Sequence, residues 1–118
     1  MAESTLVLVM RSPYGLEEAF AGLRLALAMA VNGMKTSVVL AEDGVYNALA
    51  SQKAEAVKMP SNMDATKELY DFDVPVYVVK EDLDERGISE SMLFEGLKVV
   101  PASKIKELVE EHSVVTSF

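Results

Sequence analysis

The sequence predicts an α/β protein, a three-layer α/β/α sandwich on a five-stranded, mainly parallel sheet. Three observations carry this reading. Short apolar runs alternate with segments of helical periodicity in the order β-α-β-α-β-α-β-α-β, which favours a parallel sheet with right-handed crossovers. The runs are apolar at almost every position, as strands buried on both faces require. Half of the 118 residues are hydrophobic, enough for one core and too few residues for two, so residues 1–118 are expected to form a single domain.

The first run, Ser4 to Met10 (STLVLVM), is near-continuous and rich in β-branched residues, and reads as a strand. Pro13 and Gly15 mark the following RSPYG, Arg11 to Gly15, as a loop. Leu16 to Asn32 reads as a helix with Leu16, Ala19, Phe20, Leu23, Leu27, Ala30 and Val31 at helical spacing. Glu17 and Glu18 suit its first turn, and Gly33 its end. Its apolar content is nearly all-round from Ala19 to Val31, which implies that part of it packs against another subunit.

Lys35 to Ala41 is the second expected strand, followed by a turn at Asp43 and Gly44 and a short helix over Val45 to Ala50. Ala54 to Pro60 fits a brief strand or an extended connection. Ser61, with Asp64 three residues on, reads as the N-cap of a helix running from Asn62 to about Tyr70. Val74 to Val79 is the third strand, with Pro75 tolerated near its start. Glu81 to Arg86 reads as a short acidic helix stopped by Gly87. Leu97 to Val100 is the fourth strand, Lys104 to His112 the last helix, and Ser113 to Ser117 the last strand.

Lys and Arg total 11 against 19 Asp and Glu, a net charge of -8. Such a surface repels phosphate backbones and anionic lipid, so no direct nucleic-acid or membrane partner is expected. Gly22 and Arg24 interrupt the longest apolar run, which falls short of the roughly 20 residues that span a bilayer. Met1 to Met10 has no basic region or small-residue cleavage site, so a cytoplasmic protein is expected. Zero cysteine excludes disulfides, thiolate nucleophiles and thiolate metal sites. With His112 as the lone histidine, no metal or other cofactor is expected.

Ligands of parallel sheets gather at the carboxyl ends of strands. That edge collects Arg11 to Gly15, Glu42 to Val45, and Lys80 with Glu81. Ser12, Pro13, Tyr14 and Gly15 are candidates for a weak anion contact at a helix start, although no glycine-rich phosphate motif is present. Asp43 and Gly44 read first as a tight turn and second as pocket residues. With Tyr14, Asp43 and Lys80 are the expected contacts of a stand-alone homo-oligomeric module that binds a small molecule or peptide. Ser12, Ser51 and Ser113 lack a neighbouring base and a nucleophile-elbow motif. His112, beside Glu110 and Glu111, is expected to be solvated or to partner a helix end. The carboxylates of Glu81, Asp82, Asp84 and Glu85 read as a solvated helix face.

Several patterns in this order resemble the DsrE/DsrF-like family of sulfur-relay proteins, nearest its DsrF (TusC) branch. They are the opening strand with SPYG and an apolar helix, AEDGVYNALASQK after the second strand, VYVVKEDLDERGI in the middle and the C-terminal VVTSF. The resemblance covers essentially the whole chain. It implies a DsrE/F-like fold and assembly into trimers or hexamers, of one chain or with cysteine-bearing DsrE-like paralogues. It also implies service in sulfur oxidation or tRNA thiolation. Members that carry sulfur hold it as a persulfide on a cysteine near the end of the third strand. The matching position here is Val79, which joins the strand-end candidates, and it bears no nucleophile. The resemblance therefore implies a subunit that builds a relay without carrying sulfur.

Overall fold

A computed structural model describes residues 4–10, 18–48, 67–93 and 95–118. The expectations for Arg11 to Glu17, Ala54 to Pro60, and the N-cap and first residues of the helix from Ser61 lie outside the described residues.

Five strands are present: β1 (Ser4–Val9), β2 (Lys35–Leu40), β3 (Val76–Val79), β4 (Lys98–Val100) and β5 (Val114–Ser117). They lie in the order β4-β3-β2-β1-β5, and every pairing is parallel. Helix α1 (Glu18–Val31) connects β1 to β2. A 3-10 helix (Glu42–Ala48) and a helical turn at 67–70 lie between β2 and β3. Helix α2 (Lys80–Glu85) and a 3-10 turn (Glu90–Met92) lie between β3 and β4, and α3 (Ser103–Glu111) leads into β5. The chain steps outward from β1 to β4, then crosses back to the far side of β1. Right-handed crossovers in opposite directions fall on opposite faces, so α3 covers one face and the earlier segments the other.

Side chains alternate accordingly. Val7, Val9, Val38, Leu40, Val76 and Val78 pack with Leu23, Ala26, Val45, Ala48, Leu69, Leu83 and Ile88 on the α1 face. Leu6, Val39, Ala41 and Val79 pack with Leu108 on the α3 face. Burying each Leu or Val stabilises the fold by roughly 1.5–3 kcal/mol before entropy is counted.

Boundaries differ from the sequence reading at several ends. The 3-10 helix begins at Glu42, three residues before the expected helix and over the expected turn. Lys80 belongs to α2 and Arg86 is its C-cap residue. Three helical segments end in one motif, in which the N–H two residues past the cap reaches back five residues and the intervening N–H reaches back three. Met34 and Gly33 bond Met29 and Ala30; Ile88 and Gly87 bond Leu83 and Asp84; Val74 and Asp73 bond Leu69 and Tyr70. The motif needs a left-handed residue, supplied by Gly33 (φ 85°), Gly87 (φ 66°) and, at more cost, Asp73 (φ 58°). Among the described residues no helix is long and apolar enough to cross a membrane.

Candidate functional site

A cleft of about 870 Å³ opens at the carboxyl ends of the strands, lined by Met10, Glu42, Asp43, Asp82, Glu85, Arg86, Ser117 and Phe118. Arg86 organises it. Its Nε and Nη2 both lie 3.1 Å from Oδ1 of Asp43. Its Nη1 donates to the Asp82 carbonyl at 3.2 Å and lies 3.6 Å from the Glu85 carboxylate. Partial burial works against the guanidinium charge, but Asp43 and Asp82 outweigh it and hold Arg86 above its ordinary value.

The acidic helix α2 is a hub of helix-end contacts. Asp82 Oδ2 accepts the N–H of Glu42 at 2.8 Å, at the start of the 3-10 helix, where Glu42 sits at φ 49°. Both carboxylate oxygens of Glu81 accept the N–H of Ala102, at 2.9 and 3.1 Å, at the N-cap of α3. Each anion meets the positive end of a neighbouring helix. The expected solvated face holds for Asp84 and Glu85, 62% and 73% exposed, and is corrected for Glu81 and Asp82, which are engaged, with only 19% of the Asp82 side chain exposed. On the outer side Lys80 pairs with Asp84 at 2.9 Å, which raises the lysine pKa.

The expected strand-end residues divide. Asp43 lines the cleft. Gly44 stands beside it for a packing reason: a Cβ there would lie 1.8 Å from the Val9 carbonyl oxygen. Val79 is 2% exposed and packs on the α3 face, away from the cleft lining. Lys80 points to solvent and its helix neighbour. Ser12, Pro13, Tyr14 and Gly15 lie outside the described residues. The sequence reading missed Asp82, Glu85 and Arg86 as cleft residues. Its available signal was the single basic residue closing an acidic helix.

A smaller recess of about 330 Å³ lies at the amino ends of β2 and β3, with Ser37, Tyr77, Leu108 and His112 among its lining. His112 is 8% exposed, which corrects the expectation of a solvated imidazole. Its Nδ1 donates to the Leu108 carbonyl at 2.6 Å, and its Nε2 lies 3.0 Å from the Ser37 hydroxyl. The helix-end half of the expectation holds, since Leu108 O belongs to the last turns of α3. Among the described residues no group of three His, Cys, Asp or Glu can hold a metal ion.

This fold and its sequence define the protein's class. The profile of the DsrE/DsrF-like family matches residues 3–117, and the chain belongs to that family. It is similar to an uncharacterised protein of Methanocaldococcus jannaschii, 30% identical over 112 residues, which are 95% of this chain and 96% of that one. It is also similar to the intracellular sulfur oxidation protein DsrF of Allochromatium vinosum, 26% identical over 92% of this chain and 90% of that one. The crystal structure of the ychN protein from E. coli superposes with a TM-score of 0.85 at 27% identity, covering 100% of both chains.

Proposed function

We propose that this protein is a non-catalytic, DsrF/TusC-like subunit of an oligomeric sulfur-relay assembly, acting as a single DsrE/F-like domain in the cytoplasm. One observation carries the reading: the chain has no cysteine, and Val79, where the resemblance puts the family's persulfide cysteine, is buried. A persulfide needs a thiolate with access to its donor, and this position offers neither. The named relative DsrF supports a place in sulfur oxidation; tRNA thiolation is the other pathway that the resemblance brings. The sulfur would then travel on cysteine-bearing paralogues, while this chain supplies shape and contact. Purifying the tagged chain from its source cells tests this. Co-recovery of cysteine-bearing relatives or a sulfur carrier supports it; recovery of neither counts against the relay role.

The cleft favours a second reading, a stand-alone homo-oligomeric binding module. Four acidic residues, Glu42, Asp43, Asp82 and Glu85, line the cleft beside one arginine, so a cationic small molecule or a basic peptide segment suits it better than an anion. Thermal shift with cationic ligands, with Asp43→Ala as control, separates the two. A ligand-dependent rise lost in the variant supports the module, and no rise with any cation argues against it.

A further inference from the structure

The sheet has two edge strands, β4 and β5, and they are built differently. β4 is three residues long, begins with Lys98 and runs into Pro101. Short length, a lysine and a proline are all features that discourage an edge from pairing with another chain. β5 (VVTS), one residue longer, has neither lysine nor proline, and Ser113 to Phe118 contains no charged side chain in a chain of net charge -8. Three of the large apolar side chains exposed among the described residues lie here or on the adjoining helix: Val114 at 42%, Val115 at 41% and Val109 at 40%.

The inner side of β5 is firmly tied. Ser4 N–H donates to Ser113 Oγ and Ser113 N–H to Ser4 Oγ, each at 3.0 Å. At the other end Phe118 N–H donates to Leu8 O and Met10 N–H to Phe118 O, each at 2.8 Å. Because Phe118 turns both of its backbone groups towards β1, alternation along the strand turns those of Val115 and Ser117 outward. Val115 pairs in register with Leu6 and so shares the α3 face, while Val114 pairs with Thr5 on the α1 face. A rigid, neutral row of backbone donors and acceptors is therefore flanked by valines on both faces.

We propose that β5 is a pairing edge between two copies of this chain, joined antiparallel about a two-fold axis at Thr116. This rests on the reading of the protein as an oligomeric subunit and names the surface. Val115 and Ser117 of each copy exchange backbone hydrogen bonds with Ser117 and Val115 of the partner subunit, and Thr116 meets its own copy across the axis. The occupant is a second copy because the edge is self-complementary under a two-fold and brings together uncharged stretches of two strongly acidic chains. A four-residue pairing alone is marginal; Val109, Val114 and Val115 add the apolar burial that holds it.

Native mass spectrometry and amide hydrogen exchange of the full chain test this. Val115→Pro removes an outward N–H, and Val115→Lys places like charges near the axis. Each variant should have half the wild-type mass with its circular dichroism retained. In the wild type the Val115 and Ser117 amides should exchange at least about tenfold more slowly at high than at low protein concentration. Folded variants at the wild-type mass, with both amides exchanging fast, would overturn the edge while leaving the oligomer intact. A wild type of single-chain mass at high-micromolar concentration would overturn both. If Val115→Pro does not fold, Val115→Lys and the wild-type exchange still decide.

Discussion

Arg86 and Asp43 stand 43 residues apart in sequence and share two contacts of 3.1 Å, closing the loop after β2 onto the helix after β3. The pair is half in water: 20% of the Arg86 side chain and 63% of the Asp43 side chain are exposed. Solvent therefore screens most of the Coulomb attraction. A double-mutant cycle with Arg86→Ala and Asp43→Ala should give a coupling of about 0.5–1 kcal/mol, read from denaturant melts and reduced by added salt. A coupling of zero would show that the contact positions nothing.

Gly44 offers a sharper outcome. With a Cβ placed 1.8 Å from the Val9 carbonyl oxygen, Gly44→Ala forces the 3-10 helix away from the end of β1. The loss should exceed about 3 kcal/mol, or the chain should not fold. A near-neutral melt would mean that this strand end is looser than described.

Much of the sheet was legible in the sequence because its signal is local. Val7, Val38 and Val78 sit in unbroken apolar runs, and Gly33 stops α1 with a motif confined to a few residues. The cleft was not legible in the same way. Arg86 reads as a helix-end cation until the fold brings Asp43 to it, and Glu81 reads as solvated until Ala102 arrives from 21 residues on. His112 likewise meets Ser37 across 75 residues. Side-chain contacts between distant elements leave no periodicity behind, so charge patterns alone assign Glu81 to solvent, Arg86 to its own helix end, and His112 to solvent or a helix end.

Asp73 occupies the left-handed position that glycine fills in the two matching helix ends. The conformation costs a non-glycine residue roughly 1 kcal/mol or more, and the Asp73 side chain makes no contact that requires it among the described residues. Asp73→Gly should therefore raise stability by about 0.5–1 kcal/mol in thermal or chemical melts. A loss would reveal a role for the carboxylate.

Tyr70 donates its hydroxyl to the Glu95 carbonyl at 3.2 Å, and burial pushes its pKa up to about 12. The folded value lies above the unfolded value near 10. The neutral phenol's contribution is thus full below pH 10 and is lost as the pH rises through 12. Stability should fall across that window, and Tyr70→Phe should flatten the fall. An equal slope in both proteins would place the alkaline sensitivity elsewhere.

The central claim is that this chain builds a relay whose sulfur is held by other subunits. The most direct measurement is intact-mass spectrometry of the source-purified assembly after exposure to a sulfane-sulfur donor. The account predicts added sulfur on a cysteine-bearing partner and an unchanged mass for this chain. Sulfur bound covalently to this chain, and released to an acceptor, would contradict it.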